Sequence, residues 1–267
     1  MVHRLSPFLA TMLVLGLVFL YGPIVSVIVY SFNASRLVTV WAGFSTHWYG
    51  ELWRNEQIRA AAWVSIEVAV ASATGALVLG TLAGYALARY RRFRGRAAFA
   101  MLATAPLVMP EIIIGLSLLL LFVALEQWTG WPRGRGILTI IVAHTTVGLA
   151  YVAIVVEARL AAFDLSLEEA ALDLGARPAT VFACITLPLI APALVAGWLL
   201  AFTLSLDDLV LASFTSGPAS TTLPMVIFSS VRLGVSPQIN ALATVFVAVV
   251  AVVVTLASRL AAPRQDS

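Results

Sequence analysis

The sequence contains no lysine, one cysteine and few charges of either sign: only 11% of its 267 residues are charged. A soluble domain carries charges on roughly a quarter of its residues, so this composition argues against a soluble protein. Because Cys184 is alone, an intrachain disulfide is excluded, and cysteine usage does not reveal the compartment. All sixteen basic residues are arginines, without a pattern for reading nucleic acid, so we expect no nucleic-acid partner.

Catalytic and metal-binding motifs are also missing from the sequence. There is no GxxxxGK[ST] phosphate-binding loop, so we do not expect this chain to hydrolyse ATP. No HExxH or GxSxG motif occurs, and one cysteine with three scattered histidines cannot build a standard zinc site. We therefore expect no catalytic residue, no metal and no cofactor, and the composition disfavours an enzyme.

Long apolar runs dominate what is present, with 61% hydrophobic residues and a mean hydropathy of +0.99. Charge-poor runs of 18 or more residues are typical of transmembrane helices. The first run follows a short basic start, but it is much longer than the 7–15-residue core of a signal peptide, so we interpret it as an uncleaved helix. The sequence thus predicts an all-α polytopic membrane protein, a single domain over residues 1–267 with six spans at about 5–32, 60–88, 97–125, 136–156, 188–206 and 240–261.

The arginines predict the orientation of these spans. Five of them lie within residues 89–96, and cytoplasmic loops carry such an excess of positive charge. With this loop inside, ten arginines are assigned to the cytoplasm and six to the outside. Both termini and the polar segment 164–188 then face the cytoplasm. Within the second span, Gly75, Gly80 and Gly84 predict a surface for close helix packing.

The polar segment 164–188 predicts a short helix, a turn and a second helix. Asp164 or Ser166 can cap the first helix, and two glutamates in its first turn favour the positive end of the helix dipole. Gly175 suits the end of that helix, and Pro178 suits the start of the next one. Such a segment could grip a cytoplasmic partner or be a purely structural hairpin; the residues alone leave both open.

The same segment carries a recognisable signature. EAALDLGARPATVFACITLP, from Glu169 to Pro188, matches every fixed position of the EAA-x3-G-x9-I-x-LP motif of bacterial ABC importer permeases. The chain resembles that family, and the resemblance implies the type I importer permease (MetI-like) fold. It also implies that the first helix of the motif couples the permease to a cytoplasmic ATPase. The residues that we assign to this coupling are Glu168, Glu169, Ala170, Ala171, Asp173 and Gly175.

Further segments are similar to the polyamine permeases of that family, among them APLVMPEIIIGLSLLLLFVAL and WLLAFTLSLDDLVLASFTSGP. The resemblance implies a subunit of an ATP-driven importer for polyamines, with putrescine the first choice, in the bacterial inner membrane. The implied partners are a second homologous permease, two cytoplasmic ABC ATPases, a periplasmic polyamine-binding protein and membrane lipid. Spermidine or another small organic solute stays open as the substrate. A proton-coupled secondary carrier without an ATPase is the alternative from a different class.

Carboxylates within the spans are candidates for a polycation pathway. Ionisable residues are costly inside a membrane and are therefore functional candidates. Asp207 and Asp208 are predicted at the outer end of the fifth span, where they could instead simply end the helix. Glu111 lies within the third span, and Glu67 in the second could instead snorkel to the interface. We interpret His144 as a helix–helix hydrogen bonder rather than a proton carrier.

Overall fold

The computed structural model describes residues 6–37, 40–90, 92–234 and 236–261, without the side chains of 253, 254 and 256–261. This part of the chain is helical and contains no β-strand beyond an isolated bridge between Asn33 and Phe44. Its helices are α1 (Pro7–Tyr30), α2 (His47–Arg54), α3 (Glu56–Arg89), α4 (Arg96–Val108), α5 (Glu111–Thr129), α6 (Ile137–Ala161), α7 (Ser166–Asp173), α8 (Pro178–Val181), α9 (Leu187–Asp207), α10 (Val210–Thr215), α11 (Leu223–Leu233) and α12 (Pro237–Ala261). A π-helical turn, Phe182–Thr186, joins α8 to α9.

Each predicted span falls on a helix or on two consecutive helices. Within the described residues, five helical runs are long and apolar enough to cross a membrane: α1, α3, α5, α6 and the run from α8 through α9. The predicted third span is two helices, because α4 ends at Val108 and α5 begins at Glu111. Pro110 explains the break, since proline has no N–H to donate and disfavours helical geometry in the residue before it.

The predicted fifth span differs from the structure at its start and agrees with it within one residue at its end. Its helical run begins at Pro178, ten residues before the predicted start at 188. At the other end α9 stops at Asp207, Asp208 is extended (φ −67°, ψ 124°), and α10 continues the chain. The Thr139 hydroxyl, near the start of α6, donates to the Thr215 carbonyl at the end of α10 (2.7 Å). The acidic pair therefore lies at a break between two helices, α9 and α10.

The chain forms two compact units, one of Ala60–Val226 and one of Met1–Arg59 with Ile227–Ser267. In the first, α6 packs against α9, and α3 approaches α6 through its glycines as predicted. A Cβ on Gly80 would lie 2.7 Å from Val152 Cβ, and one on Gly84 would lie 2.5 Å from the Ala153 carbonyl oxygen. Small residues allow such close backbone approach between membrane helices. The buried core here comprises Ala73, Ala76, Val152, Val156, Leu160, Ile190 and Ala201.

The other unit contains α1, α2 and α12, with α1 and α2 both in contact with α12. Asn33 organises the segment between α1 and α2: its Nδ2 donates to the Val40 carbonyl (2.7 Å), and its Oδ1 accepts from Ala42 N (3.0 Å). Trp48 Nε1 donates to the Asn33 carbonyl (2.7 Å), so α2 is tied to the same residue. No residue of α1 is buried, so this apolar helix offers most of its surface to lipid or to another subunit.

Candidate functional site

The polar segment 164–188 folds as the predicted helix, turn and helix. Helix α7 begins at Ser166, and of the two predicted capping residues Asp164 is the one whose Oδ1 accepts from the first N–H of the helix, Ser166 N (3.0 Å), one residue before the N-cap position Leu165. This bond lowers the pKa of the Asp164 carboxyl below its ordinary value, since it favours the charged form. Gly175 follows α7 with φ +84°, a left-handed conformation that favours glycine. Pro178 is the first residue of α8.

Apolar side chains are exposed along this segment. Within α7 no residue is buried, and Glu169, Ala170 and Asp173 are exposed. Leu174 directly after the helix is 90% exposed. Isolated exposed leucines are common, but several on one short polar helix indicate a surface for a partner. The exposed leucines of this segment are Leu165, Leu167, Leu172 and Leu174.

Glu168 differs from the rest of α7 because its side chain is held inside the chain. Its Oε1 accepts from Arg89 Nη2 at the end of α3 (2.6 Å) and from Thr186 Oγ1 in the π-helical turn (2.6 Å). The Glu168 and Arg89 side chains are only 14% and 13% exposed. Arg89 also lies over the Phe163 ring, with its guanidinium carbon 5.4 Å from the ring centroid. Of the two glutamates in the first turn, then, Glu169 faces solvent and Glu168 faces the chain.

Three of the four predicted pathway acids line one cavity of about 300 Å³ in the unit formed by Ala60–Val226. Glu111 is the first residue of α5, directly after the break in the third span. Asp207 and Asp208 stand at the break between α9 and α10. Both interrupted spans thus place a carboxylate at the break between their two helices. Discontinuous helices of this kind are typical of substrate sites in membrane transporters.

Asp208 also stabilises the backbone at its own break. Its Oδ1 accepts from Ala212 N (2.9 Å), and its Oδ2 lies 3.4 Å from Leu211 N, so it caps the start of α10. Asp207 is exposed and lines the cavity. The two neighbouring acids therefore differ: one carboxylate is held by the chain, and the other is open to the cavity.

His144 lines the same cavity and joins three helices. Its Nδ1 lies 2.6 Å from Ser205 Oγ in α9, and the Ser72 hydroxyl of α3 donates to Ser205 Oγ (3.1 Å). His144 Nε2 lies 3.4 Å from Asp208 Oδ1, and the imidazole is only 2% exposed. A proton on Nε2 is attracted to the carboxylate, so the favoured arrangement has Ser205 donating to Nδ1. The prediction that His144 is a helix–helix hydrogen bonder is confirmed.

His144 and Thr139 show how the chain after Asp208 runs along α6. His144 follows the start of α6 by seven residues, which is about 10 Å along a helix that rises 1.5 Å per residue. Thr139, which bonds α10, lies nearer to that start. From Asp208 to Thr215 the chain therefore runs toward the N-terminal end of α6. The helical run of the fifth span stops at Asp207, beside the predicted end of that span, and the outward orientation of this end stays a prediction.

Glu67 is not brought together with the other acids. It lies on the exposed side of α3 and is not among the residues that line the cavity. Its predicted place on a substrate pathway stays a prediction. What the sequence did not reveal is the set Ser72, His144 and Ser205, because hydroxyl and imidazole groups on separate helices give no local pattern.

Comparisons with known proteins agree with this architecture. Residues 76–266 match the family described as binding-protein-dependent transport system inner membrane component. The putrescine transport system permease protein PotI of Escherichia coli K12 is 58% identical over 248 residues, 93% of this chain and 88% of that protein. The spermidine/putrescine transport system permease protein PotC of Escherichia coli K12 is 43% identical over 244 residues, 91% and 89% of the two chains.

Solved structures show the same fold at low sequence identity. A chain from a bacterial ABC transporter involved in the import of the acidic polysaccharide alginate superposes with a TM-score of 0.72 at 16% identity, covering 96% of this chain and 95% of that one. A chain of the MetNI methionine ABC transporter, in an inward-facing conformation, gives 0.59 at 18% identity, covering 75% and 92%. The family model matches most of this chain, which is therefore a multi-pass transport subunit rather than an enzyme. This chain belongs to the inner-membrane permease components of binding-protein-dependent ABC importers.

Proposed function

We propose that this chain is one of two homologous permease subunits of an importer that carries putrescine into the cell. Two relatives, 58% and 43% identical to it over the aligned residues, bear the names of a putrescine and a spermidine/putrescine permease. The observation that carries the proposal is the cavity that Glu111, Asp207 and Asp208 line together. Putrescine is a dication, and carboxylates in a low-dielectric wall offset the cost of removing its ammonium groups from water.

The remaining partners follow from the same proposal. Two cytoplasmic ATPases bind α7 and its exposed leucines, and a periplasmic binding protein delivers the polyamine on the outer side. Both termini face the cytoplasm, as the arginines of residues 89–96 favour. ATP-driven closure of the ATPases moves α7, and the cavity alternates between the two sides of the membrane. The docking surface is formed or shaped by Glu169, Ala170, Ala171, Asp173 and Gly175.

Transport in a defined background tests the substrate and the energy source. The chain is expressed with its partner permease, ATPase and binding protein in cells that lack polyamine uptake, and entry of radiolabelled putrescine is measured. We expect uptake that stops when the ATPase carries an inactivating substitution of its phosphate-loop lysine. Uptake that persists with the inactive ATPase contradicts the proposal and favours a secondary carrier. Uptake of spermidine without putrescine contradicts the choice of substrate.

Leu174→Asp tests the docking surface. Leu174 is 90% exposed, so the change costs little in the isolated chain, but it removes a leucine from the proposed ATPase contact. Burying a leucine stabilises a contact by about 1.5–3 kcal/mol, so we expect at least tenfold weaker ATPase binding, measured by co-purification from membranes. Leu233→Asp is the matched control, because Leu233 is 91% exposed at the end of α11. Equal ATPase recovery from the Leu174 and Leu233 variants would show that α7 is not the docking helix.

A further inference from the structure

We propose that Glu168 is a positioning residue that transmits the movement of α7 to α3 and α9, and that it is not a contact for the ATPase. The inference rests on the proposed coupling role of α7 and changes the part assigned to this residue. Its neighbour Glu169 is exposed, whereas Glu168 is turned into the chain. The three residues Glu168, Arg89 and Thr186 are called the clamp below.

One carboxylate oxygen joins three elements in the clamp. Glu168 Oε1 receives hydrogen bonds from Arg89 Nη2 and from Thr186 Oγ1, each 2.6 Å long. Charge-assisted hydrogen bonds of this length are the strong ones. Arg89 is the last residue of α3, and Thr186 directly precedes α9. The clamp therefore fixes α7 to the cytoplasmic ends of two membrane helices at once.

The surroundings of the clamp restrict its movement. Thr186 is buried, and the Arg89 guanidinium lies against the Phe163 ring. On the other side, the rings of Tyr85 in α3 and Phe182 in the π-helical turn meet edge to face, with centroids 5.4 Å apart. A partly buried ion pair is screened by water much less than a surface pair, so α7 is held more firmly here than a solvated helix would be.

Of the two helices that the clamp holds, α9 lines the acid cavity, and α3 is bonded to α9 beside it. Helix α9 ends at Asp207, and Ser205 in the same helix bonds His144. Helix α3 carries Ser72, which donates to Ser205. A displacement of α7 is thus passed to two helices that meet again beside Asp208. Coupling between two sites is established by the effect of substitutions along the connection, so the test measures that effect.

Glu168→Gln and Thr186→Val separate transmission from docking. Glutamine keeps the shape of Glu168 but removes the charge that holds Arg89, and valine keeps the shape of Thr186 but removes the hydroxyl donor. The variants are studied as the assembled importer in liposomes, with ATP hydrolysis measured with and without putrescine-loaded binding protein. We expect normal recovery of the ATPase and normal basal hydrolysis, but at least fivefold less stimulation by the loaded binding protein and a matching loss of uptake.

Two controls make the result specific. Thr186→Ser retains the hydroxyl and is expected to restore stimulation, which a merely structural role of the threonine methyl would not predict. If the two changes act on one unit, the double variant loses no more stimulation than the stronger single variant. If Glu168→Gln lowers the amount of folded chain in the membrane, Thr186→Val and Thr186→Ser carry the comparison.

The outcomes distinguish this inference from the proposed function. Loss of ATPase co-purification in Glu168→Gln, as in Leu174→Asp, overturns the inference because it makes Glu168 a docking residue. Wild-type stimulation in both clamp variants overturns it as well. If instead Leu174→Asp leaves ATPase binding intact, or the unaltered importer does not carry putrescine, the proposed function fails and not the clamp.

Discussion

Gly84→Leu is expected to abolish accumulation of the folded chain in the membrane, whereas Gly16→Leu is expected to leave it unchanged. A Cβ at Gly84 would lie 2.5 Å from the Ala153 carbonyl oxygen and 3.1 Å from the Glu157 backbone nitrogen. These are backbone atoms of α6, so no side chain can rotate away to make room. Overpacking in a close-packed core costs about 1–3 kcal/mol, and a whole leucine at a backbone contact exceeds that range.

Gly16 is the matched control for this prediction. It also lies in an apolar helix, α1, but a Cβ there would meet nothing within 4 Å. Membrane levels of tagged chain and the melting temperature of the detergent-purified importer are the measurements. Gly84→Ala extends the series, because even one methyl group is too close, and we expect a lowered melting temperature with reduced protein level. Normal stability of Gly84→Ala and Gly84→Leu would contradict the predicted contact between α3 and α6.

The sequence predicted the local features of segment 164–188 well because they depend on neighbouring residues. Gly175 has the left-handed conformation that its place after α7 favours. Asp164 accepts a hydrogen bond from Ser166 N, the first N–H of the same helix. The dipole rule for first-turn acids did not distinguish Glu168 from Glu169, since both satisfy it. What distinguishes them is Arg89, which is 79 residues away in the chain and reaches Glu168 only through the packing of α3.

The breaks in the membrane helices show the same limit. Pro110 gave a local reason for the interruption before Glu111, although the sequence was read there as a continuous span. The break at Asp208 has no proline or glycine to mark it. It becomes visible only through the backbone bonds that Asp208 accepts from α10 and the bond between Thr139 and Thr215. Tertiary contacts of this kind cannot be read from hydropathy, so the sequence did not reveal that the helix after the acidic pair is tied to α6.

Asp208→Asn is expected to reduce putrescine uptake at least tenfold while leaving the fold intact. Asparagine is as good a helix cap as aspartate, so the bond to Ala212 N that begins α10 is kept. What is lost is the charge. An ammonium group about 4 Å from a carboxylate gains about 4 kcal/mol at an effective dielectric constant of 20, and a third of that energy already corresponds to a factor of ten. Asp207→Asn removes the second, exposed charge of the cavity and is expected to act in the same direction.

The two ends of α5 provide a matched test of position. Glu111 lines the cavity at the start of this helix, and Glu126 lies near its other end, fifteen residues or about 22 Å away. Glu126 Oε1 accepts from Gly134 N (2.8 Å), a bond that the amide oxygen of glutamine can also accept. We therefore expect Glu111→Gln to lower uptake and Glu126→Gln to leave it unchanged, at equal membrane levels.

The form of the loss identifies the role of the cavity. If the carboxylates hold the ammonium groups in transit, the variants lower the maximal rate of uptake, while the half-saturating concentration follows the binding protein that delivers putrescine. The loss should also be greater for putrescine than for a neutral solute forced through the same importer by an exchanged binding protein, because only a cation depends on the removed charges. Unchanged uptake in the Asp207→Asn, Asp208→Asn double variant at normal protein levels would contradict the cation pathway. If the double variant takes up putrescine normally and Glu67→Gln does not, the pathway instead follows the exposed side of α3, where Glu67 lies.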